Sequence, residues 1–202
     1  LERQRLLATR LLRELRGDRI GLVAFAGRAY VLAPLTLDHS ALELYVDALD
    51  PDIVSYGGSS LAAALRQATD LALGQESAGR DRAIVLATDG EAHESEAAVL
   101  AEAKRAADAG IVVHTVGIGS TRGEPIPERD PRTGQLSGYK RDANGEVVMS
   151  RLNEALLSRI ADMTGGRYVR LDAAGATDRL LGALRAVGQT RVQGERSLEP
   201  RP

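Results

Sequence analysis

With 202 residues, 44% of them hydrophobic, the chain is long enough to bury one sizeable α/β core and too apolar for a disordered segment. A formal net charge of −2 and 3% aromatic residues supply neither the basic footprint nor the stacking platforms of a nucleic-acid binder, and the absence of cysteine removes disulfides, thiolate metal sites and cysteine nucleophiles. No apolar run approaches the ~20 residues that span a bilayer and no signal peptide is visible, so the expectation is a soluble fragment.

Helical and strand periods alternate along the chain, the pattern of a mostly parallel sheet covered on both faces. Residues 1–16 carry Leu7, Leu11, Leu12 and Leu15 at helical spacing among Arg and Glu, and Gly17 stops the helix. Residues 20–25 and 29–35 read as two strands of an edge hairpin turning at Gly27, and Asp38 is placed to cap a helix over 39–49 that Pro51 follows. After Gly57-Gly58-Ser59-Ser60 comes a helix over 60–73. Residues 83–88 form a nearly continuous apolar strand, and a helix over 94–109 returns the chain to a second such strand over 111–116.

From 117 to 150 the composition turns to Gly, Pro, Arg and Asp, with turn signals at Pro131-Arg132-Thr133-Gly134 and Asn144-Gly145. More than thirty residues without a helix is long for a connection, so this insertion is expected to carry a hairpin of its own. A helix over 152–163, a short strand over 168–171 and a last helix over 176–187 complete a domain placed at 1–188. Residues 189–202 are expected to trail off as a tail.

Two features bear on chemistry. Asp89 ends the first continuous strand, and ligands of open parallel sheets bind at the carboxyl ends of strands. Ser59 precedes the helix over 60–73, where a hydroxyl serves as an N-cap or, beside a strand-end carboxylate, as a hard oxygen ligand for a divalent cation. Asp89 before Gly90 also has the chemistry of an ordinary turn residue. Glu91 and Glu94 read as solvated residues of a first helical turn. His93 and His114 match no zinc spacing, and His114 reads as a satisfied core residue. The Gly117-x-Gly119-Ser120-Thr121 run lacks the lysine and the following helix of a phosphate loop.

In order, Gly17-Asp18-Arg19-Ile20-Gly21-Leu22-Val23-Ala24-Phe25-Ala26-Gly27, Leu35-Thr36-Leu37-Asp38, Gly58-Ser59-Ser60-Leu61 and Thr88-Asp89-Gly90-Glu91 resemble a von Willebrand factor A domain. The runs Val113-His114-Thr115-Val116-Gly117-Ile118-Gly119 and Glu124-Pro125-Ile126-Pro127 resemble its bacterial Bat (aerotolerance) branch. The resemblance implies a Rossmann-like three-layer α/β/α fold with one antiparallel edge strand. It also implies a metal-ion-dependent adhesion site (MIDAS) binding Mg²⁺ or Mn²⁺, with Ser59 at the second-loop Thr position and Asp89 at the third-loop Asp. The family's first strand and its Asp-x-Ser-x-Ser loop, which would bring three of five metal contacts, have no counterpart in this chain.

The function so implied is non-catalytic: a protein-interaction module whose partner donates an acidic residue to the metal. The resemblance places it in a protein anchored in a bacterial inner membrane by segments outside this chain, the soluble domain extracytoplasmic. It would act with a MoxR-type AAA+ ATPase and other Bat-like proteins, and not with nucleic acid. Two other readings compete. One is an α/β hydrolase or phosphotransferase using Asp89, for which no Ser-His-Asp set, nucleophile elbow or Walker motif is present. The other is a metal-free scaffold with a vestigial site.

Overall fold

In the computed structural model, which describes residues 2–49, 60–74, 81–92, 94–130, 132–142 and 144–196, the elements follow the periodicity of the sequence. Helix α1 (Glu2–Glu14) leads into strands β1 (Ile20–Phe25) and β2 (Ala29–Thr36), which pair antiparallel as a hairpin. Helices α2 (His39–Asp47) and α3 (Leu61–Leu73) follow, then β3 (Arg82–Thr88), α4 (Glu96–Asp108) and β4 (Ile111–Gly117). Beyond the insertion lie α5 (Glu154–Met163), β9 (Tyr168–Arg170) and α6 (Ala176–Arg196). Strands β3, β4 and β9 form a parallel sheet in that order, with β4 in the middle and buried on both faces.

Alternation along β4 divides the core into two layers of helices, because successive side chains leave opposite faces. Val113 faces a cluster containing Leu61 and Leu65 of α3, Val99 of α4, and Leu157 and Ile160 of α5. Val116 faces Leu7 of α1, Val169 of β9 and Leu180 of α6. A third cluster, Leu12, Ala33, Leu42 and Val46, ties α1, the hairpin and α2 together. The result is the expected α/β/α sandwich.

Among the described residues no ladder joins β1 to β3, so the hairpin and the parallel sheet are separate. Both strands rest on α3, and both end at its first turn: the Ala26 carbonyl after β1 accepts the Ser60 N–H at 2.7 Å, and Glu94 beyond β3 accepts the Ala62 N–H at 2.6 Å. The two strands therefore run the same way with a slot between them. The slot has a volume of about 1170 Å³ and is lined by Leu11 of α1, Ala68 and Leu71 of α3, Val23 of β1, Val85 of β3 and Leu184 of α6, among others.

Several expected boundaries move. The N-cap of α3 is Ser60, whose hydroxyl accepts the Ala63 N–H at 3.3 Å. Ser59, read as that cap or as a metal ligand, lies outside the described residues, as do His93, Pro51 and the Gly57-Gly58 pair. Helix α4 begins at Glu96 with Ser95 as its cap, so neither Glu91 nor Glu94 stands in a helical first turn. Helix α6 continues to Arg196, which makes 189–196 helical rather than a trailing tail.

The insertion holds more than one hairpin. Strands β6 (Pro127–Arg129) and β7 (Leu136–Tyr139) pair antiparallel, as do β5 (Glu124–Pro125) and β8 (Met149–Ser150), with an Arg141–Val147 bridge between them. Its outer end is a solvated hairpin. Its inner end returns to the carboxyl edge of the parallel sheet.

Candidate functional site

Asp89 directly follows β3 at the carboxyl edge of the sheet, as its position in sequence led us to expect. Three local bonds fix it there. Its Oδ1 accepts the Glu91 N–H at 3.2 Å, an Asx-type turn, and lies 3.4 Å from the donating Thr88 hydroxyl. The Thr88 hydroxyl also accepts the Gly90 N–H at 3.1 Å. Gly90 takes φ of +75°, where a side chain would be strained and a Cβ would meet the Asn153 carbonyl at 3.0 Å. That turn lets the Asp89 carbonyl accept the Asn153 N–H at 2.8 Å, seating α5 against the strand end.

The insertion adds residues that local sequence did not point to. Ser150 at the end of β8 donates its hydroxyl to Asp89 Oδ2 at 3.0 Å, and the Arg151 N–H donates to Glu91 Oε1 at 2.7 Å. Beside them an open hollow of about 580 Å³ is lined by Glu91, Ala92, Thr121, Arg151, Leu152 and Asn153. Gly119, in the run that faintly resembles a phosphate loop, passes Asp89 with φ of +119°. The chain continues from this run into the insertion rather than into a helix.

Glu94 has a structural task. Besides accepting the Ala62 N–H, its Oε1 stands 3.5 Å from the Ser60 hydroxyl, so a carboxylate covers the N-terminus of α3 where helix-end N–H groups lack partners. His114 is 3% exposed within β4; its Nδ1 accepts the Arg167 N–H at 3.1 Å while Nε2 has no partner. The expectation of a satisfied core histidine is thus half met. Burial, with a smaller effect of the nearby Arg167 charge, holds this imidazole below the ordinary histidine range. His39 sets both ring nitrogens against carbonyls, those of Leu12 and Asp18, each at 2.9 Å.

The donors around Asp89 are hard oxygens: one carboxylate and the hydroxyls of Thr88 and Ser150. None of the ion pairs among the described residues involves Asp89. This chemistry fits a divalent cation of the Mg²⁺ type in kind. In number it is short, because among the described residues no group of three His, Cys, Asp or Glu side chains is placed to hold a metal. Nor is any helix among them long and apolar enough to cross a membrane.

Comparison with known proteins gives this edge a context. The family profile described as von Willebrand factor type A domain matches residues 1–91. BatB from Bacteroides thetaiotaomicron has a structure 34% identical to this chain, with a TM-score of 0.83, covering 93% of this chain and 88% of that one. An aerotolerance-related membrane protein from Bacteroides fragilis is 30% identical, with a TM-score of 0.81 and the same coverage. The Escherichia coli protein YfbK is 27% identical over 177 residues, and the chain spans only 25% of its length. The chain belongs to the von Willebrand factor type A domain family, alongside the aerotolerance-related Bat proteins.

Proposed function

We propose that this domain is a protein-interaction module whose docking edge is the loop cluster at the carboxyl end of β3, with Ser59 and Asp89 as metal contacts there. The observation that carries the reading is Asp89 itself. It is a strand-end carboxylate held by a turn and two hydroxyls, without a cationic partner among the described residues, beside an open hollow. A carboxylate so placed suits a cation better than a fold-internal ion pair. Mg²⁺ or Mn²⁺ bound there would supply an open coordination position for an acidic side chain of the partner.

This chain's own residues do the positioning. The Gly90 turn and the Thr88 hydroxyl aim the carboxylate, and Ser150 restrains Oδ2, linking the insertion to the edge. The non-catalytic reading is supported by the commitments of the two described histidines, each bonded to backbone groups within the fold. In the whole protein we infer an inner-membrane anchor outside this chain, an extracytoplasmic domain, and a MoxR-type AAA+ ATPase or another Bat-like protein as partner. The Bacteroides fragilis relative is an aerotolerance-related membrane protein, which supports a membrane anchor.

The test is capture of such a partner on the immobilised domain with and without divalent metal. Binding that is lost with a chelator and reduced at least tenfold by Asp89→Asn is expected. Binding indifferent to both would return the domain to a metal-free scaffold.

A further inference from the structure

The insertion brings to the docking edge a cation that no carboxylate holds among the described residues. Arg151 follows Ser150, and it is the Arg151 backbone N–H, not the guanidinium, that Glu91 Oε1 accepts at 2.7 Å. The guanidinium enters no ion pair among the described residues, whereas Arg159 of α5 and Arg170 of β9, on the elements that come next in the chain, each do.

Its stem is nevertheless held in place. Gly123 stands at φ of +84°, and a Cβ built there would lie 2.9 Å from Arg151 Nε, 3.1 Å from Cγ and 3.5 Å from Cδ. The arginine therefore lies along the backbone at Gly123, in space that a side chain at that position would claim. The Gly123 N–H donates to the Ser120 carbonyl at 3.4 Å, which closes the turn under it. A long side chain laid down in this way has already given up part of the rotamer freedom that binding a ligand would cost.

Arg151 also lines the open hollow of about 580 Å³. Glu91 and Ala92 enter this hollow from the strand-end loop, and Thr121, Leu152 and Asn153 from the ends of the insertion and the start of α5. Asn153 turns Oδ1 into α5, where it accepts the Leu156 N–H at 3.1 Å, so the donor end of its amide faces away from that bond. Glu91 is the one carboxylate in the lining, and its Oε1 is committed to the Arg151 N–H.

We propose that Arg151 is a specificity-determining residue of the docking edge, receiving a second carboxylate from the partner segment that presents an acidic side chain at Asp89. The proposal rests on the docking-edge reading above. A guanidinium is a planar fork that pairs a carboxylate through two parallel N–H bonds, which suits an Asp or Glu side chain. Consecutive residues, Ser150 and Arg151, are tied to Asp89 and Glu91, so the two acidic groups of the partner stand close in its sequence. Discrimination comes mainly from the wrong partner: a Lys or Arg at the second position would face like charge in a hollow from which docking expels water.

The experiment is designed to run without metal. A bare Asp89 carboxylate repels acids, so a phage-displayed library of random peptides is panned in EDTA on the 202-residue chain carrying Asp89→Asn. The same panning is done with Arg151→Glu added, and with Arg151→Ala in its place should the first variant not fold by circular dichroism. Expected is enrichment of peptides bearing Asp or Glu, reduced at least tenfold by either Arg151 change and replaced by Lys- and Arg-bearing peptides in Arg151→Glu. Thr121→Trp, which obstructs the hollow, should reduce the acidic enrichment as well. No acidic enrichment, or one that survives the Arg151 changes or the Thr121 change, would overturn the proposal. Because Asp89 and metal are both removed, failure of the metal reading leaves the expected result unchanged, and failure here leaves a metal titration of the intact edge unaffected.

Discussion

Asp89 and its neighbours make separable predictions at the residue scale. Ser150→Ala removes one charge-assisted bond from a half-buried carboxylate and should cost about 1 kcal/mol, a fall of roughly 2–4 °C in melting temperature for a domain of this size. Glu94→Ala uncovers the first turn of α3 and should cost a similar amount, with hydrogen exchange at the Ala62 amide rising. His114 carries the pH dependence. Its folded-state pKa is depressed, so the neutral ring is the folded form. Its contribution is present above the ordinary histidine value of about 6.5 and is lost as the pH falls through that value toward the lower folded one. Protonating Nδ1 would also set two donors face to face at the Arg167 N–H. Stability should therefore drop between pH 7.5 and 5.5 by at most about 1.4 kcal/mol per pH unit, and His114→Gln should flatten that slope in melts at several pH values. Asp89 was legible in the sequence because strand-end acidic residues mark sheet edges. Ser150 was not, because its partner lies 61 residues away and only the returning insertion brings them together.

At the scale of elements, periodicity located every helix among the described residues and the main strands, and the misplacements have physical causes. The α4 start was read two residues early because Glu94 resembles a first-turn carboxylate, whereas it caps a different helix across the fold. The α6 end was read early because polar composition resembles a tail, whereas the helix runs on to Arg196. The insertion announced its turns through Gly134 and Gly145, both at positive φ, but not the second pairing of β5 with β8, which depends on strands too short for a sequence signal. The junction after α5 offers a sharper test. A Cβ built on Gly166 would meet the Val113 carbonyl oxygen at 2.0 Å, and its nearest neighbours are all backbone of β4, which cannot swing aside as a flexible side chain would. The same junction holds Thr164, whose hydroxyl accepts the Val113 N–H at 2.9 Å. Gly166→Ala should cost about 3 kcal/mol or fail to fold, against well under 1 kcal/mol for Gly138→Ala in the insertion, where a Cβ would meet nothing; chemical denaturation compares the two.

For the molecule as a whole, the sandwich serves as a frame that brings the β3 end, the α3 start and the inner end of the insertion to one edge. The alternation of strands and helices made that frame legible from sequence, and membership in the von Willebrand factor type A family confirms it. The slot beside β3 was legible only as the family's first strand having no counterpart; its size and walls needed coordinates. The metal at the docking edge is the claim on which the functional account turns. The most direct measurement is a thermal-unfolding titration with Mg²⁺ and Mn²⁺ on the domain with a strand and Asp-x-Ser-x-Ser loop supplied before residue 1, alongside Asp89→Ala. The account predicts a metal-dependent rise of several degrees, corresponding to ~2.7 kcal/mol at a hundredfold excess over Kd, that vanishes in the variant. No rise at millimolar metal, or an equal rise in the variant, would contradict it.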